Sequence, residues 1–148
     1  MVPPMSVLSK SSTYGVRAAL YLVAHGGSGY VSIGQISSDL DISFHFLTKI
    51  MQKCTQAGLV ASYRGPSGGL VLAKPAKEIT VLDIALAVEG EGFLKECVLG
   101  LDGCGDKRPC PLHKEWAKER KRIRHLFANT TVDRLSNAAV RQSLRLAD

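Results

Sequence analysis

The sequence predicts a mainly α-helical fold with one small β-hairpin and a long helix near its C-terminal end. Three patterns predict it: two short amphipathic segments joined by a tight turn in residues 32–57, a glycine-rich hairpin pattern in residues 59–73, and a charged segment with a thin apolar stripe in residues 112–128. The chain has 148 residues, of which 45% are hydrophobic, and this is enough to build a core.

Three helices are predicted in the N-terminal part of the chain. The stretch LSKSSTYGVRAALYLVAH, residues 8–25, is rich in helix formers and ends at a glycine pair. Ser32 and Gln35 form a capping box that opens a short second helix. Ser43 can cap a third helix that runs to Ala57. The apolar residues of this third helix recur at spacings of three and four, which predicts a buried face: Phe46, Leu47, Ile50, Met51 and Cys54.

The second and third helices, joined by a tight turn, are typical of a helix-turn-helix, whose second helix enters the major groove of DNA. Helical hairpins also occur in proteins that never bind DNA. On the helix-turn-helix interpretation, the polar and basic residues of the third helix are the predicted DNA contacts: Ser43, His45, Thr48, Lys49 and Lys53.

A β-hairpin is predicted directly after this helix pair. Two strand-like runs, residues 59–63 and 70–73, flank the loop RGPSGG, in which glycines permit positive φ and Pro66 stiffens the turn. A hairpin in this place is the wing of a winged helix-turn-helix, and the alternative is a solvated turn. The wing interpretation adds Arg64, Ser67 and Gly68 to the predicted DNA contacts.

The remaining elements suggest three regions. Residues 80–89 are predicted to form a further helix capped by Thr80, and a short last helix is expected from Thr130 to about residue 139. The long helix is predicted in residues 112–128, and its narrow apolar stripe suits contact with one partner helix. We therefore predict a winged helix-turn-helix domain in residues 1–90, a cysteine-rich loop in residues 91–111, and a dimerisation helix with a tail in residues 112–148. A net charge of +6 favours an acidic partner such as nucleic acid.

The stretch CVLGLDGCGDKRPCPLH, residues 97–113, holds three of the four cysteines at a spacing of C-x6-C-x5-C. The chain shows no secretory signal pattern and no run of 18 apolar residues, so a cytoplasmic location is expected, with no membrane partner and with reduced thiols. Cys97, Cys104, Cys110 and the following His113 are then a complete ligand set for zinc or for a [2Fe-2S] cluster.

Catalysis is not expected of this chain. The sequence has no C-x-x-C pair for thiol-disulfide chemistry, no phosphate-binding glycine loop, and no pair of carboxylates placed for acid-base work. A regulator or binding protein is therefore the predicted class.

The order of these motifs resembles one known family. The stretches LSKSSTYGVRAALYLVA, VSIGQISSDLDISFHFLTKIMQKCTQAGLVASYRGPSGGLVLA and EITVLDIALAVEG, followed by the cysteine loop and TTVDRL, are similar to the IscR, NsrR, RirA and CymR family of bacterial winged-helix regulators. This resemblance implies a homodimer that binds a roughly palindromic double-stranded DNA operator and regulates transcription. It also implies an iron-sulfur cluster, as in many members, for which redox state and nitric oxide are candidate signals.

Within that family, the loop is most similar to the IscR branch, where a histidine at the offset of His113 ligates a [2Fe-2S] cluster. The first cysteine interval is one residue longer here, and Thr48 stands where that branch carries a glutamate. The nitric-oxide branch holds a [4Fe-4S] cluster with an acidic ligand from the first helix, but this chain has no Asp or Glu before Asp39. We therefore prefer [2Fe-2S] to [4Fe-4S]. The alternatives are a zinc site and a cluster-free regulator that acts through thiol oxidation or a protein partner.

Overall fold

The structure, a computed structural model, describes residues 7–142. The predicted domain limits at residues 1 and 148 lie outside this part of the chain. Its elements, in chain order, are α1 (Lys10–His25), a 3-10 turn (Gly26–Ser28), α2 (Ile33–Leu40), α3 (Phe44–Gln56), β1 (Val60–Tyr63), β2 (Gly69–Leu72), a second 3-10 turn (Ala76–Glu78), α4 (Val81–Glu89), α5 (His113–Ala128) and α6 (Val132–Gln142). The predicted fold class, mainly α with one β-hairpin, is confirmed.

The starts of α2, α3 and α4 are capped at the residues that the sequence predicts, but the capping box predicted for α2 is only half formed, because the Gln35 side chain donates to the Tyr21 hydroxyl. Ser32 and Ser43 each accept a hydrogen bond from the backbone three residues later, as does Ser9 at the start of α1. At α4 the box is reciprocal, because Thr80 caps the amide of Asp83 and the Asp83 carboxylate accepts from the amide of Thr80. Each cap satisfies an amide that the helix itself leaves without a partner.

One hydrophobic core joins the N-terminal helices, the hairpin and α6. Its most deeply buried members come from every layer of the domain: Ala18 on α1, Ile36 on α2, Leu47 on α3, Leu70 on β2, Ile84 on α4 and Val132 on α6. Cys54 is 1% exposed within this cluster, as its helical spacing predicts. Burial raises the pKa of its thiol to about 11, so Cys54 stays protonated and unreactive at neutral pH.

The two strands form an antiparallel hairpin in which Val60 pairs with Leu72 and Tyr63 pairs with Gly69. Val31, just before α2, adds a bridge to Leu70 through hydrogen bonds of 2.9 and 2.7 Å in both directions. The wing is therefore attached to the start of the helix-turn-helix as well as to its end.

The segment from α5 to α6 returns to the same core. Val81 donates to the carbonyl of Thr130, and Val132 donates to the carbonyl of Ile79, so the start of α6 pairs with the strand-like entry to α4. The sequence predicts Thr130 as the cap of α6, but the residue that caps the helix is Thr131. The Thr130 hydroxyl donates to the carbonyl of Leu126 in the last turn of α5. Of the described helices, none is long and apolar enough to cross a membrane.

Gly69 is a position where the backbone approach requires glycine. A Cβ at Gly69 would lie 2.3 Å from the carbonyl oxygen of Val31, and its φ of +155° is unfavourable for other residues. We expect Gly69→Ala to lower the free energy of unfolding by roughly 1–3 kcal/mol, measured by urea denaturation, because the bridge between Val31 and Leu70 must shift.

Gly34→Ala is the matched control, because a Cβ there meets no atom within 4 Å and the residue lies in the first turn of α2. We expect this change to be neutral or to stabilise the protein by up to about 1 kcal/mol through higher helix propensity. Equal effects of the two substitutions would contradict the role given to Gly69.

Candidate metal centre and nucleic-acid interface

Three of the four cysteines converge after α4. The Sγ atoms of Cys97, Cys104 and Cys110 all lie within 4.8 Å of one another, and those of Cys97 and Cys110 are 3.7 Å apart. All three are free thiols, Cys110 buried and the other two half-buried. The fourth cysteine, Cys54, is in the core, so the structure separates a structural thiol from a cluster of three that could hold a metal.

Local turns fold the loop around this point. The amide of Gly100 donates to the carbonyl of Cys97 at 3.0 Å, and the amide of Cys104 donates to that of Leu101 at 3.3 Å. Gly100 and Gly103 have φ of +71° and +67°, the left-handed conformation that glycine adopts without steric cost. A pair of consecutive turns therefore brings Cys104 back beside Cys97.

His113, the first residue of α5, faces the cysteines. Its amide donates to the carbonyl of Cys110 at 3.0 Å, and its Nδ1 lies 3.6 Å from Sγ of Cys104. The other ring nitrogen, Nε2, lies 3.1 Å from a carboxylate oxygen of Asp106. The structure thus brings all four predicted ligand residues together, and it adds Asp106, which the sequence pattern did not single out.

Two more side chains of α5 reach back to the segment before Cys97. Trp116 donates from Nε1 to the carbonyl of Glu96 at 3.1 Å, and Arg120 donates to the carbonyl of Lys95 at 2.8 Å. His113, Trp116 and Arg120 are three and four residues apart and so lie on one face of the helix. This face contacts both the beginning and the end of the cysteine loop.

The thiols differ in acidity. Backbone hydrogen bonds to its sulfur, from Leu101 and also from Leu99, lower the pKa of Cys97 to about 7. At Cys104, the amide of Cys110 acts to lower the pKa, but burial and the neighbouring thiols outweigh it and raise the pKa. A thiolate is the form that binds a metal, and Cys97 reaches this form more readily than Cys104.

The separations fit ligands of a tetrahedral metal. With metal–sulfur bonds of about 2.3 Å, two thiolates on one tetrahedral ion lie about 3.8 Å apart. The Cys97–Cys110 sulfur distance is 3.7 Å, and the distance from Cys104 to His113 Nδ1 is 3.6 Å. Three thiolates and an imidazole suit zinc or iron in an iron-sulfur cluster. All four residues help to line the adjacent cavity of about 410 Å³.

The predicted DNA contacts on α3 occupy its start and its outer face. Ser43, His45 and Lys49 are exposed and Thr48 is half-exposed. The Ser43 oxygen caps the helix, and the Thr48 hydroxyl donates to the carbonyl of Phe44 at 2.7 Å. Phe44 itself is 58% exposed, an apolar group of the kind that contacts thymine methyls, and it is not among the DNA contacts that the sequence predicts.

Lys53 has a different environment from the other four. Its ammonium donates to the carbonyl of Val88 at 3.0 Å, in the last turn of α4, where a positive charge complements the helix dipole. Its predicted contact with DNA stays a prediction, and in this structure Lys53 links α3 to the helix that leads into the cysteine loop.

The wing exposes Arg64 and Ser67 at its tip. Gly68 closes the turn by donating to the carbonyl of Gly65 at 3.0 Å, and a Cβ at Gly68 would lie 2.2 Å from the carbonyl oxygen of Tyr63. Gly68 thereby shapes the turn that presents Arg64. Exposed cations beside a narrow turn suit contact with phosphates or the minor groove.

Known proteins are similar to this chain in sequence. The HTH-type transcriptional regulator IscR of Pectobacterium carotovorum subsp. carotovorum (strain PC1) is 35% identical over 130 residues, which are 88% of this chain and 79% of the relative. The protein of the same name from Pectobacterium atrosepticum is 33% identical over 141 residues, 95% of this chain and 84% of the relative.

Solved structures share its fold. T. potens IscR superposes with a TM-score of 0.72 at 28% identity, covering 93% of this chain and 91% of that one. CymR, the global cysteine regulator of B. subtilis, also gives 0.72, at 27% identity over 90% of this chain and 98% of that one. The model of the Rrf2 family, described as iron-dependent transcriptional regulators, matches residues 8–138. With its winged helix-turn-helix and its three-cysteine loop, this chain belongs to the Rrf2 family of transcriptional regulators and is similar to its IscR members.

Proposed function

We propose that this protein is a homodimeric transcriptional regulator whose binding to a roughly palindromic operator is modulated by a [2Fe-2S] cluster held by Cys97, Cys104, Cys110 and His113. The observation that carries the proposal is the convergence of three thiols and one imidazole on the first turn of α5. When bound, such a cluster supplies one-electron redox chemistry at a site that oxidants can reach.

The pairing of the donors is compatible with a cluster of two irons. The closest donor contacts fall into two pairs, the sulfurs of Cys97 and Cys110 and the Cys104 sulfur with Nδ1 of His113. A [2Fe-2S] cluster needs two protein ligands on each iron, so two pairs match its requirement. A zinc ion would use the same four donors around one centre. The cluster is preferred because the matching family is described as iron-dependent and because relatives named IscR are similar to this chain in sequence.

The connections of α5 suggest how the site influences DNA binding. His113 would be a ligand, while Trp116 and Arg120 hold the segment before Cys97. Ordering the loop would therefore set the position of α5 relative to α4. Lys53 on α3, the second helix of the helix-turn-helix, contacts the last turn of α4. A shift of α4 can therefore reach the DNA-binding surface. Cluster loss would change operator affinity by changing the populations of these arrangements.

The proposal of a dimer depends on α5, which the rest of its own chain buries only in part. None of its 16 residues, all of which are described, is fully buried, and Leu126 is 59% exposed. An apolar groove of about 470 Å³ runs beside it, lined in part by Val16, Phe127 and Leu135. A second copy crossing at α5 would cover these groups and place two recognition helices on one DNA duplex.

For the metal centre, we expect anaerobically purified protein to be coloured and to give the EPR signal of a reduced [2Fe-2S] cluster. Cys97→Ser, Cys104→Ser and Cys110→Ser each remove a thiolate and should abolish this signal and most bound iron, measured by iron and sulfide assay. His113→Ala should leave a cluster that is lost faster on exposure to air, because one iron has lost its fourth ligand.

Cys54→Ala is the matched cysteine control. It removes a thiol from the core, so it should lower stability while leaving the iron content per folded protein unchanged. A colourless protein with one zinc ion and no sulfide would contradict the cluster and support zinc.

For the DNA interface, we expect Arg64→Ala to weaken binding to DNA selected from a random-sequence library, measured by gel shift across a salt series. Loss of one phosphate or minor-groove contact should reduce the slope of log affinity against log salt by about 1 for each Arg64 that binds. Lys77→Ala, the same change of charge on the exposed turn after the wing, should leave the slope unchanged. Identical slopes for both variants would contradict a contact by Arg64.

A second candidate, a cluster-free thiol switch, is favoured by the Cys97–Cys110 sulfur distance of 3.7 Å and by the pKa of about 7 at Cys97. Peroxide could oxidise this pair to a disulfide, with two electrons and two protons passing to the oxidant and two waters formed. Mass spectrometry of apo protein, with and without peroxide, detects that bond. An iron-free protein from anaerobic cells whose DNA affinity changes with this oxidation would favour the switch over the cluster.

A further inference from the structure

We infer that Asp106 is a positioning residue of the metal centre: its carboxylate accepts a hydrogen bond from Nε2 of His113 and so directs Nδ1 to the metal. This inference rests on the proposed ligand role of His113. It goes further by assigning the ligating nitrogen and by giving a task to a carboxylate that no ligand spacing would identify.

The two ring nitrogens of His113 have different neighbours. Nδ1 lies 3.6 Å from the Cys104 sulfur, and Nε2 lies 3.1 Å from Oδ1 of Asp106. A neutral imidazole has one N–H and one lone pair, so a carboxylate that accepts from Nε2–H leaves the lone pair on Nδ1. The nitrogen that faces the thiols is then the one able to bind a metal.

The fold places Asp106 for this task. The residue lies in a short turn between the second and third cysteines, where Gly105 bridges to Arg108 and the amide of Arg108 donates to the carbonyl of Gly105 at 3.1 Å. His113 is the first residue of α5, and its side chain is only 18% exposed, whereas that of Asp106 is fully exposed. The carboxylate therefore covers the solvent side of the ring, outside the ligand set.

The hydrogen bond between His113 and Asp106 would affect metal binding. A bound cation polarises the imidazole and makes its remaining N–H a stronger donor, so this hydrogen bond strengthens when metal is present. The carboxylate also adds negative charge near the metal that the imidazole would bind. Both effects stabilise the oxidised cluster more than the reduced one, and they slow loss of the histidine ligand.

The chain supplies a matched control in the same loop. Asp102 is also exposed and lies two residues before Cys104, as Asp106 lies two residues after it, and within residues 7–142 the Asp102 side chain has no hydrogen-bond partner. Asp102→Ala removes the same charge from the same loop without touching His113. It therefore separates a specific hydrogen bond from a general electrostatic effect.

The experiment uses the anaerobically reconstituted full-length protein. Asp106→Ala should release iron to a chelator roughly 10- to 100-fold faster than the wild type and should have a more positive reduction potential, while Asp102→Ala stays near the wild type. Asp106→Asn keeps a hydrogen-bond acceptor without the charge, so it should restore most of the cluster retention but not the potential. Circular dichroism checks that each variant is folded.

Pulsed EPR of protein carrying histidine labelled with ¹⁵N at one ring position tests the assignment directly. Strong coupling to Nδ1 supports it, and strong coupling to Nε2 overturns it, because that nitrogen would then have no proton to donate. Equal behaviour of Asp106→Ala and Asp102→Ala also overturns the inference. If His113→Ala retains the cluster like the wild type, the ligand role fails instead, and that result concerns the proposed function.

Discussion

The first two turns of α5 lie against the cysteine loop through side chains on one helix face, and this contact is the constraint on which the rest of the site depends. His113 reaches Cys104, Trp116 reaches the carbonyl of Glu96, and Arg120 reaches that of Lys95. A loop that contains several glycines has many conformations, and these hydrogen bonds select one in which the thiols meet. The position of α5 and the arrangement of the three thiols therefore depend on each other.

The DNA-binding unit is organised independently of that contact. Its helices begin at side-chain caps, and its wing is attached at both ends, through the turn after α3 and through the bridge from Val31 to Leu70. None of these caps and bridges involves a residue of the cysteine loop. The two parts meet at α4, whose last turn contacts Lys53 of α3 and whose entry pairs with the start of α6.

Several predictions depended on local chemistry, and the structure agrees with them for that reason. Capping by Ser32, Ser43 and Thr80 needs only a hydroxyl three residues before an amide, and burial of Cys54 follows from its helical spacing. The hairpin follows from glycines that permit its turn. The predicted cap of α6, Thr130, is wrong, and Thr131 caps the helix instead. The choice between these two threonines depends on the pairing of Thr131 with Thr80 at the entry to α4, which is a tertiary contact.

The sequence alone determined the element order, the cap residues of α2, α3 and α4, and the wing, and it grouped three thiols and one histidine as candidate ligands, because these depend on spacing and residue type. Only the tertiary structure decided which ring nitrogen of His113 faces the thiols and that Asp106 contacts the other. It likewise showed that Lys53 contacts α4. These pairs are 7 and 35 residues apart in the chain, and the approach of such side chains depends on how the loop and helices pack, which no local pattern encodes.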